Sequence, residues 1–327
     1  MPDRIYTTGY YVLELDGVIS GLLKDFEGGA VSAEVIEELT APGPFVKKHI
    51  GRPNYEDLVL EFGFSMNRAL YDWIESSWER KNERKNGAIV LCDADMEAQS
   101  RRVFREAVIA ETTLPPCDAN SKDPSYVRVR LAPEYTRTEP ASGKVNVVLG
   151  AKQKAWLPSN FRLSIDGLDC SRVSSIAPLT VKQRVVPDPI GELREYVREP
   201  GRVDFSNLRI TMSETHAQSW IDWHQDFLIN GNCGQEKEKS GTLEYLAPNL
   251  QDVLMKVQLG NLGIFRLAYE SEHPDGAHIR RVVVDLYCER MELEYGNTVG
   301  VAVSQPAAAQ ILNVSPRTVA PRLPRRI

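Results

Sequence analysis

Five histidines and five cysteines are the residues of this chain best suited to metal binding or nucleophilic chemistry, and their spacing indicates neither. His216 and His224 stand eight positions apart on one predicted helix, a separation of two turns that is too long for a shared metal ion. No two cysteines have the C-x-x-C spacing of a zinc or redox site. We therefore predict structural or solvent-exposed histidines and cysteines that act as small apolar packing groups, with no metal and no cofactor. The cysteines are Cys92, Cys117, Cys170, Cys233 and Cys288.

Paired carboxylates are the remaining candidates for catalysis. Glu37-Glu38 and Asp93/Asp95 have the residue types for acid–base chemistry, but no nucleophile motif accompanies them. The G-x-S-x-G, Walker A, G-x-G-x-x-G and H-E-x-x-H patterns are all missing from the sequence. The sequence therefore predicts a protein that is not an enzyme. An enzyme on a β scaffold stays open as an alternative that requires a deep pocket with convergent titratable groups.

The chain contains one pattern twice, at a fixed separation. Leu15-Asp16-Gly17 recurs as Ile165-Asp166-Gly167, and Asp72-Trp73 recurs as Asp222-Trp223, each 150 positions later (15 to 165, 72 to 222). Gly51-Arg52 recurs at the same spacing as Gly201-Arg202. Several coincidences at one spacing indicate a tandem duplication, and a length of 327 residues agrees with two domains. We predict domains at 1–135 and 160–300, a linker at 136–159 and a Pro/Arg-rich tail at 301–327.

Charge and hydropathy restrict the partners and the location. The net charge of -6 argues against general binding of nucleic acid, which depends on a basic surface. The chain opens without a secretory signal, and no apolar stretch is long enough to span a bilayer. We therefore expect synthesis and assembly in the cytoplasm.

Each half reads as several strands around one principal helix. Alternating apolar residues predict opening strands at Tyr10 to Leu15 and Phe161 to Ile165. The first helix carries Leu70, Trp73, Ile74 and Ser77 on one face, with Ser65 as its N-cap; the second carries Ala217, Trp220, Ile221, His224 and Leu228, after a capping box at Thr211 to Glu214. Asn86-Gly87 predicts a tight turn before the strands that follow the first helix. This order predicts a mainly β (α+β) fold, a small barrel or sandwich closed by a helix in each half. The later strands are predicted at 88–92, 103–110, 126–131, 242–246, 253–259, 264–270 and 281–287.

Several of these segments together resemble a known family. The opening strand with Leu15-Asp16-Gly17 precedes the segment from Phe45 to Arg52, the strand Asp57 to Phe62, the helix with Leu70 to Ile74 and the strands from Arg84 onward. In this order and spacing, the chain from Tyr10 to about Glu134 resembles the tail-tube protein family of contractile phage tails and related contractile injection systems. The second half resembles the family more loosely, from about Asn160 to Tyr295, and departs from it after the helix.

The resemblance implies assembly into rings. In that family, subunits close a sixfold ring whose sheets line a channel, and the long segment before the Gly-Arg turn reaches toward neighbouring subunits and stacked rings. Here those segments are roughly Gly28 to Ile50 and Thr180 to Glu199. The candidate interface residues are Val35, Phe45, Lys47, Lys48, Val185 and Tyr196, and a candidate docking tail for an acidic partner carries Arg317, Arg322, Arg325 and Arg326.

The leading hypothesis is a structural protein of a contractile tail or injection-system tube. Two domains in each chain predict a homotrimeric, pseudo-sixfold ring, with a hexamer as the other possibility, that serves as tube ring, initiator or terminator. Its expected partners are tube, sheath, baseplate or cap proteins of the same particle. The alternative is a tandem β module that binds carbohydrate or peptide through Trp78 or Trp156.

Overall fold

A computed structural model of the protein describes residues 9–38, 46–147, 156–188, 196–270 and 280–296. Its elements are mainly strands, so the predicted fold class is confirmed. The first half contains β1 (Tyr10–Leu15), β2 (Val18–Leu23), β3 (Asp25–Gly28), β4 (Val31–Glu38), β5 (Lys47–Tyr55), β6 (Leu58–Phe62), α1 (Arg68–Trp78), β7 (Lys85–Cys92), β8 (Ala98–Leu114), β9 (Cys117–Asp118), β10 (Val127–Ala132) and β11 (Tyr135–Pro140). The second half contains β12 (Phe161–Ile165), β13 (Val173–Ile176), β14 (Leu179–Asp188), β15 (Val197–Phe205), β16 (Leu208–Ser213), α2 (Gln218–His224), β17 (Lys239–Leu246), β18 (Val253–Tyr269) and β19 (Arg281–Tyr295).

The strands form two large antiparallel sheets and one separate hairpin. One sheet has the order β2-β1-β7-β8-β10-β6-β3, with β11 and the hairpin β14–β15 attached along β8. The other has the order β12-β17-β18-β19-β16-β13-β9. The hairpin β4–β5 pairs with neither sheet in the part of the chain that is described. Elements of the two halves therefore meet along the long strand β8, and they meet again where β9 pairs with β13.

Strand pairing in the second half follows the register of the first. Leu131 of β10 pairs with Ile109 of β8, and Leu286 of β19 pairs with Ile264 of β18, so both partners advance by 155 positions (131 to 286, 109 to 264). The single strand β19 pairs with β18 over the range in which β10 and β11 pair with β8, with a shift of register between Ile264 and Arg266. The division into domains at the predicted boundaries stays a prediction, and β11 lies inside the segment predicted as a linker.

Helix α1 packs through the predicted face. Leu70, Trp73, Ile74 and Ser77 are all buried, which confirms the helical spacing. The indole Nε1 of Trp73 donates to the carbonyl oxygen of Glu83 at 2.9 Å. The predicted N-cap at Ser65 is wrong. The cap is Asn67, whose side-chain oxygen accepts from the backbone N–H of Ala69 at 3.0 Å, because the helix begins two residues later than the apolar pattern indicates.

Helix α2 corrects two predictions. The proposed capping box is wrong, because Thr211 to Ser213 belong to β16 and pair with β19, which leaves α2 without a side-chain cap. The predicted face is right at Ala217 and Trp220 but wrong at Leu228, which is exposed. The buried positions further along are Trp223 and Phe227, three and seven positions after Trp220, and the α-helix gives way to a π-helical turn at Gln225–Ile229.

The Asn86-Gly87 pair lies inside β7 and does not form the predicted turn. A Cβ atom on Gly87 would stand 2.3 Å from the carbonyl oxygen of Glu14 and 2.5 Å from the ring of Phe104. Gly241, at the matching position of β17, would meet the carbonyl oxygen of Ser164 at 2.6 Å. Glycine is required at both places for close strand packing, so the local turn preference of Asn-Gly is overridden by the sheet.

Candidate subunit interface

The hairpin β4–β5 is the most exposed element of the described structure. Its two strands pair from Val31↔Tyr55 to Glu38↔Lys47, and near the tip ion pairs join them. Lys48 Nζ lies 2.9 Å from Glu37, and His49 Nε2 lies 3.0 Å from Glu38. These pairs are open to solvent and contribute little stability, so the hairpin is held mainly by its backbone hydrogen bonds.

Apolar side chains on this hairpin face solvent. The four are Val31, Val35, Ile36 and Ile50, and Ile50 is 71% exposed. Grouped exposed aliphatic side chains on one element are typical of a protein-binding surface. A two-stranded hairpin with such a surface is marginally stable alone in water, which also indicates a missing partner.

The corresponding hairpin of the second half is covered. Val181 of β14 is 4% exposed, whereas Val31 at the matching position of β4 is 53% exposed. Val185 packs against a small buried cluster of Val108, Ala110 and Ala132. The difference arises because β14 has a strand on each side and β4 has only one.

The strand β14 is joined to β8 along four residue pairs. Thr180 stands opposite Thr113, and their hydroxyl oxygens are 3.2 Å apart. The backbone N–H and carbonyl of Thr180 point away from β8, because both bond to Ser206. We call this pairing the intrachain joint. Its register is Leu179↔Leu114, Thr180↔Thr113, Val181↔Thr112 and Lys182↔Glu111.

A cluster of charged residues adds hydrogen bonds between the two halves near the intrachain joint. The Glu134 carboxylate accepts from the Arg84 guanidinium and from the backbone N–H of Arg198, the latter at 2.9 Å. Arg84 also donates to the Arg198 carbonyl at 2.8 Å and to the Glu199 carboxylate at 3.2 Å. This cluster links the loop after α1, the turn before β11 and the strand β15.

The predicted interface residues divide between the two hairpins. Val35, Lys47 and Lys48 are exposed on β4–β5, and none of them meets β8. Val185 packs beside the intrachain joint, and Tyr196 lies beneath the guanidinium of Arg52, whose Cζ is 5.5 Å from the ring centroid. Contact of these residues with another chain stays a prediction. Phe45 and the tail residues Arg317, Arg322, Arg325 and Arg326 lie outside the described residues.

Two structural features relevant to the candidate interface were missed by sequence reasoning. One is the Arg84 cluster, whose members are far apart in sequence and meet only through the sheet. The other is the C-terminal edge of β18, where Phe265 and Tyr269 are exposed. The aromatic residues of this segment are a sequence signal that could have marked it as a contact surface.

Catalytic and metal chemistry find little support in the described structure. Within the described ranges, no group of three His, Cys, Asp or Glu side chains is placed to hold a metal ion. Burial raises the pKa of the Cys117 thiol, and it raises that of Cys288 to about 11, so both stay protonated at neutral pH. Trp78 and Trp156, the proposed aromatic ligand contacts, are buried. Among the described helices, none is long and apolar enough to cross a membrane.

Asp285 holds three strands of the second sheet together. Its carboxylate accepts from Arg209 of β16 at 2.7 Å and from Arg266 of β18 at 3.0 Å. These hydrogen bonds and charges lower the pKa of Asp285 below its ordinary value. The carboxylate is therefore ionised and structural at neutral pH.

Comparison with known proteins gives the following matches. Residues 7–137 match the model of the family described as T4-like virus tail tube protein gp19. Three solved structures are similar to parts of the chain: one from the sheath-tube complex of an extracellular contractile injection system, PVC, in the extended state (20% identity over 43% of this chain and 95% of that chain, TM-score 0.38), one from the tube-terminating cap of the anti-feeding prophage (20%, 43% and 93%, TM-score 0.36), and Hcp1 from Flavobacterium johnsoniae (10%, 42% and 95%, TM-score 0.26). No curated protein matches the chain significantly.

Proposed function

Residues 7–137 of this chain belong to the family of T4-like virus tail tube proteins, and from this premise we propose that the protein is a structural component of a contractile tail or injection-system inner tube. The family match is the observation that carries the proposal. The exposed hairpin β4–β5 supports it, because a tube subunit must keep an apolar surface available for its neighbours. In this function the protein is not an enzyme and needs no cofactor.

The chain assembles as a ring of three copies. Each copy supplies two tube-like domains, at 1–135 and 160–300, so that three copies give a pseudo-sixfold ring. The intrachain joint supports this arrangement, because a strand of the second half already pairs with a strand of the first as one subunit would pair with the next. A head-to-tail contact of this kind closes into a ring when its rotation divides the circle.

The two halves are not equivalent, which favours a ring at one end of a tube. The first half places β10 and β11 along β8 as two strands, whereas the second uses the single long strand β19. A ring with alternating domains has true threefold symmetry. It suits a position where a sixfold tube meets a threefold component, as an initiator or a terminator, and a repeating tube ring is the other position considered.

The remaining parts of the proposal concern partners and location. The protein assembles in the cytoplasm and then becomes part of the particle, in contact with tube, sheath, baseplate or cap proteins. The Pro/Arg-rich tail at 301–327 docks on an acidic surface of one of these partners. Removal of residues 301–327 then leaves ring formation intact and weakens the binding of that partner, which a pull-down with isolated tubes and sheaths measures.

Electron microscopy of the purified full chain in negative stain tests the function. The expected result is ring-shaped particles with threefold symmetry, single or seated on tube ends. A chain that stays a monodisperse monomer across micromolar concentrations, and that binds neither tubes nor sheaths, refutes the proposal.

A further inference from the structure

The repeat contains the two strand edges of a second joint like the intrachain joint, and both edges are unpaired among the described residues. The strand β4 corresponds to β14, because Val31↔Tyr55 and Val181↔Phe205 are the same pair 150 positions apart (31 to 181, 55 to 205). The backbone of Ala30 also bonds to Glu56 as Thr180 bonds to Ser206. The outer edge of β4 is therefore built like the edge of β14 that meets β8.

The strand β18 corresponds to β8 in the same way. Phe104 pairs with Gly87, and Leu259 pairs with Gly241, so β18 follows β8 at 155 positions (104 to 259). Residues 111–114, which receive β14, therefore match residues 266–269. Within the described residues, 266–269 pair with β19 on one side and have no strand on the other.

We propose that the edge of β18 at residues 266–269 takes the strand β4 of a second copy of this chain, in the register of the intrachain joint. This interchain joint rests on the proposed ring function and specifies how its copies connect. The pairs carried over from the intrachain joint are Ala30↔Ala268, Val31↔Leu267 and Ser32↔Arg266. Gly29 is left out because its N–H donates to Asp57 and its carbonyl accepts from Thr136 within the chain.

Burial supports this pairing on both edges. Leu114, at the end of the intrachain joint, is 1% exposed, whereas Tyr269 at the matching position is 57% exposed. Val31 shows the same contrast with the buried Val181. Both open edges therefore carry apolar side chains where the closed joint has buried ones, and pairing removes both from water.

The side chains beside the edge also match. Val185 packs on the cluster that includes Ala110 and Ala132. In the other half, Val35 corresponds to Val185 (150 positions earlier), and Phe265 and Tyr287 correspond to Ala110 and Ala132 (155 positions later). Val35 and Phe265 are both exposed. At the interchain joint Val35 would therefore contact aromatic side chains, which are larger than the alanines that Val185 contacts.

The charged residues at the end of the joint differ between the two copies of the pattern. At the intrachain joint Arg84 stands against Glu199, with an Nη2–Oε1 distance of 3.2 Å. Lys85 pairs with Asp16, and Lys239 bonds to the carbonyl of Asp166, the counterpart of Asp16. Lys239 therefore corresponds to Lys85, and the residues next to them correspond at the same separation of 154 positions (85 to 239). Arg84 therefore corresponds to Glu238.

At the interchain joint one charge changes sign, because Glu238 stands at the position of Arg84. Glu289 and Lys48 keep the signs of Glu134 and Arg198, and His49 takes the place of the Glu199 carboxylate. On the β18 side Glu238 and Glu289 stand where the intrachain joint has Arg84 and Glu134. On the hairpin side Lys48 and His49 stand where it has Arg198 and Glu199. In the proposed joint these two carboxylates lie near Lys48 and His49, and Glu238 also accepts from the Asn261 amide and the Tyr287 hydroxyl, both at 2.7 Å. The same hairpin would bring Lys48 toward the Arg84 guanidinium if it docked at the wrong edge. The β18 edge therefore favours the Lys48 hairpin over the β14–β15 hairpin, which carries the Glu199 carboxylate at the position of His49, and this preference supports alternation of the two halves around the ring.

Disulfide cross-linking tests the register. Thr180 and Thr113 form a non-hydrogen-bonded antiparallel pair, in which Cα atoms are about 4.5 Å apart, within the range that a disulfide spans. In a background with the exposed Cys233 changed to Ser, the double variant Ala30→Cys/Ala268→Cys should give covalently linked chains on oxidation. The matched control Ala30→Cys/Glu270→Cys shifts one partner by two residues, to a separation of about 8 Å that a disulfide cannot bridge. We expect at least about tenfold more cross-linked chain in the first variant, since only its sulfur atoms meet.

A second variant tests the same joint without cysteines. Val31→Asp places a carboxylate where the joint buries an aliphatic group, and should raise the dissociation constant for self-association by about tenfold or more. Val18→Asp is the control, because Val18 has similar exposure on β2, away from both edges. Circular dichroism melts check that both variants fold, and sedimentation velocity measures assembly.

The outcomes separate the joint from the function. Rings in the wild type without selective cross-linking at 30 and 268, or Val31→Asp that assembles like Val18→Asp, overturn the interchain joint and leave the proposed function standing. A wild-type chain that forms no ring, alone or on isolated tubes, overturns both.

Discussion

Glu134 is the residue whose removal should most directly weaken the attachment of the second hairpin to the first half. Its carboxylate accepts two hydrogen bonds, one from the charged Arg84 guanidinium and one from the backbone N–H of Arg198. The side chains of Glu134 and Arg84 are 17% and 24% exposed, so water replaces these bonds poorly. We therefore predict that Glu134→Ala lowers the free energy of unfolding.

The magnitude follows from the two bonds. A hydrogen bond to a charged group contributes about 1.5–3 kcal/mol, and a neutral donor left without a partner costs about 1–3 kcal/mol when fully buried. Both contributions are reduced here by partial exposure. We expect a loss of about 2 kcal/mol, with a smaller loss for Glu134→Gln, whose amide oxygen still accepts from Arg198.

Urea denaturation at neutral pH, followed by tryptophan fluorescence, measures the change. The control is Glu139→Ala, because Glu139 forms an exposed pair with Arg137 at 3.8 Å, which predicts a change within about 0.5 kcal/mol. If Glu134→Ala matches the control, the cluster does not hold the hairpin, and the reasoning from burial and hydrogen bonds is refuted.

Three further predictions concern the core, the acid limb and the thiols. Trp73→Phe keeps most of the buried ring but leaves the Glu83 carbonyl without its donor, so urea denaturation should show a loss of about 2 kcal/mol; an unchanged midpoint would contradict it. Ionised Asp285 stabilises the fold, because its pKa in the folded chain is below the ordinary value of 3.8; this stabilisation is complete above pH 3.8 and is lost as pH falls through the lower folded pKa. Asp285→Asn should therefore flatten the pH dependence of the free energy of unfolding below about pH 4, and an unaltered acid limb would exclude this role. A thiol reagent should modify the exposed Cys233 in the native protein and reach Cys117 only on unfolding, as mass spectrometry of labelled peptides will show; early labelling of Cys117 would mean that its site opens.

Local pattern predicted the elements whose residues need only their own neighbours in sequence. The strands β1 and β12 begin and end where alternation places them, and the buried face of α1 follows helical spacing. The Asn86-Gly87 turn failed for the opposite reason, since the strand β1 and the Phe104 ring lie against Gly87 and these come from distant segments. The capping box at Thr211 failed because β19, about 70 positions later, recruits those residues into a sheet.

The candidate interface divides in the same way. The exposed Val35, Lys47 and Lys48 lie on a hairpin that the sequence marked through the family resemblance. The predicted Gly-Arg turn is wrong, because Gly51-Arg52 lies inside β5 and Gly201-Arg202 lies inside β15. The edge of β18 and the Arg84 cluster were beyond reach, because an edge is defined by the strands that do not pair with it and an ion cluster by residues that only folding brings together.

By itself, the sequence determined that the chain is mainly β, that its pattern occurs twice at a separation of 150 residues, and that its first part follows the tail-tube pattern. These properties depend on periodicity and order, which are local. Only the tertiary structure decided that the hairpin β14–β15 is closed onto β8 while β4–β5 has no sheet partner among the described strands. That difference depends on which backbone donors and acceptors find partners across more than sixty residues of chain, and no local pattern encodes it.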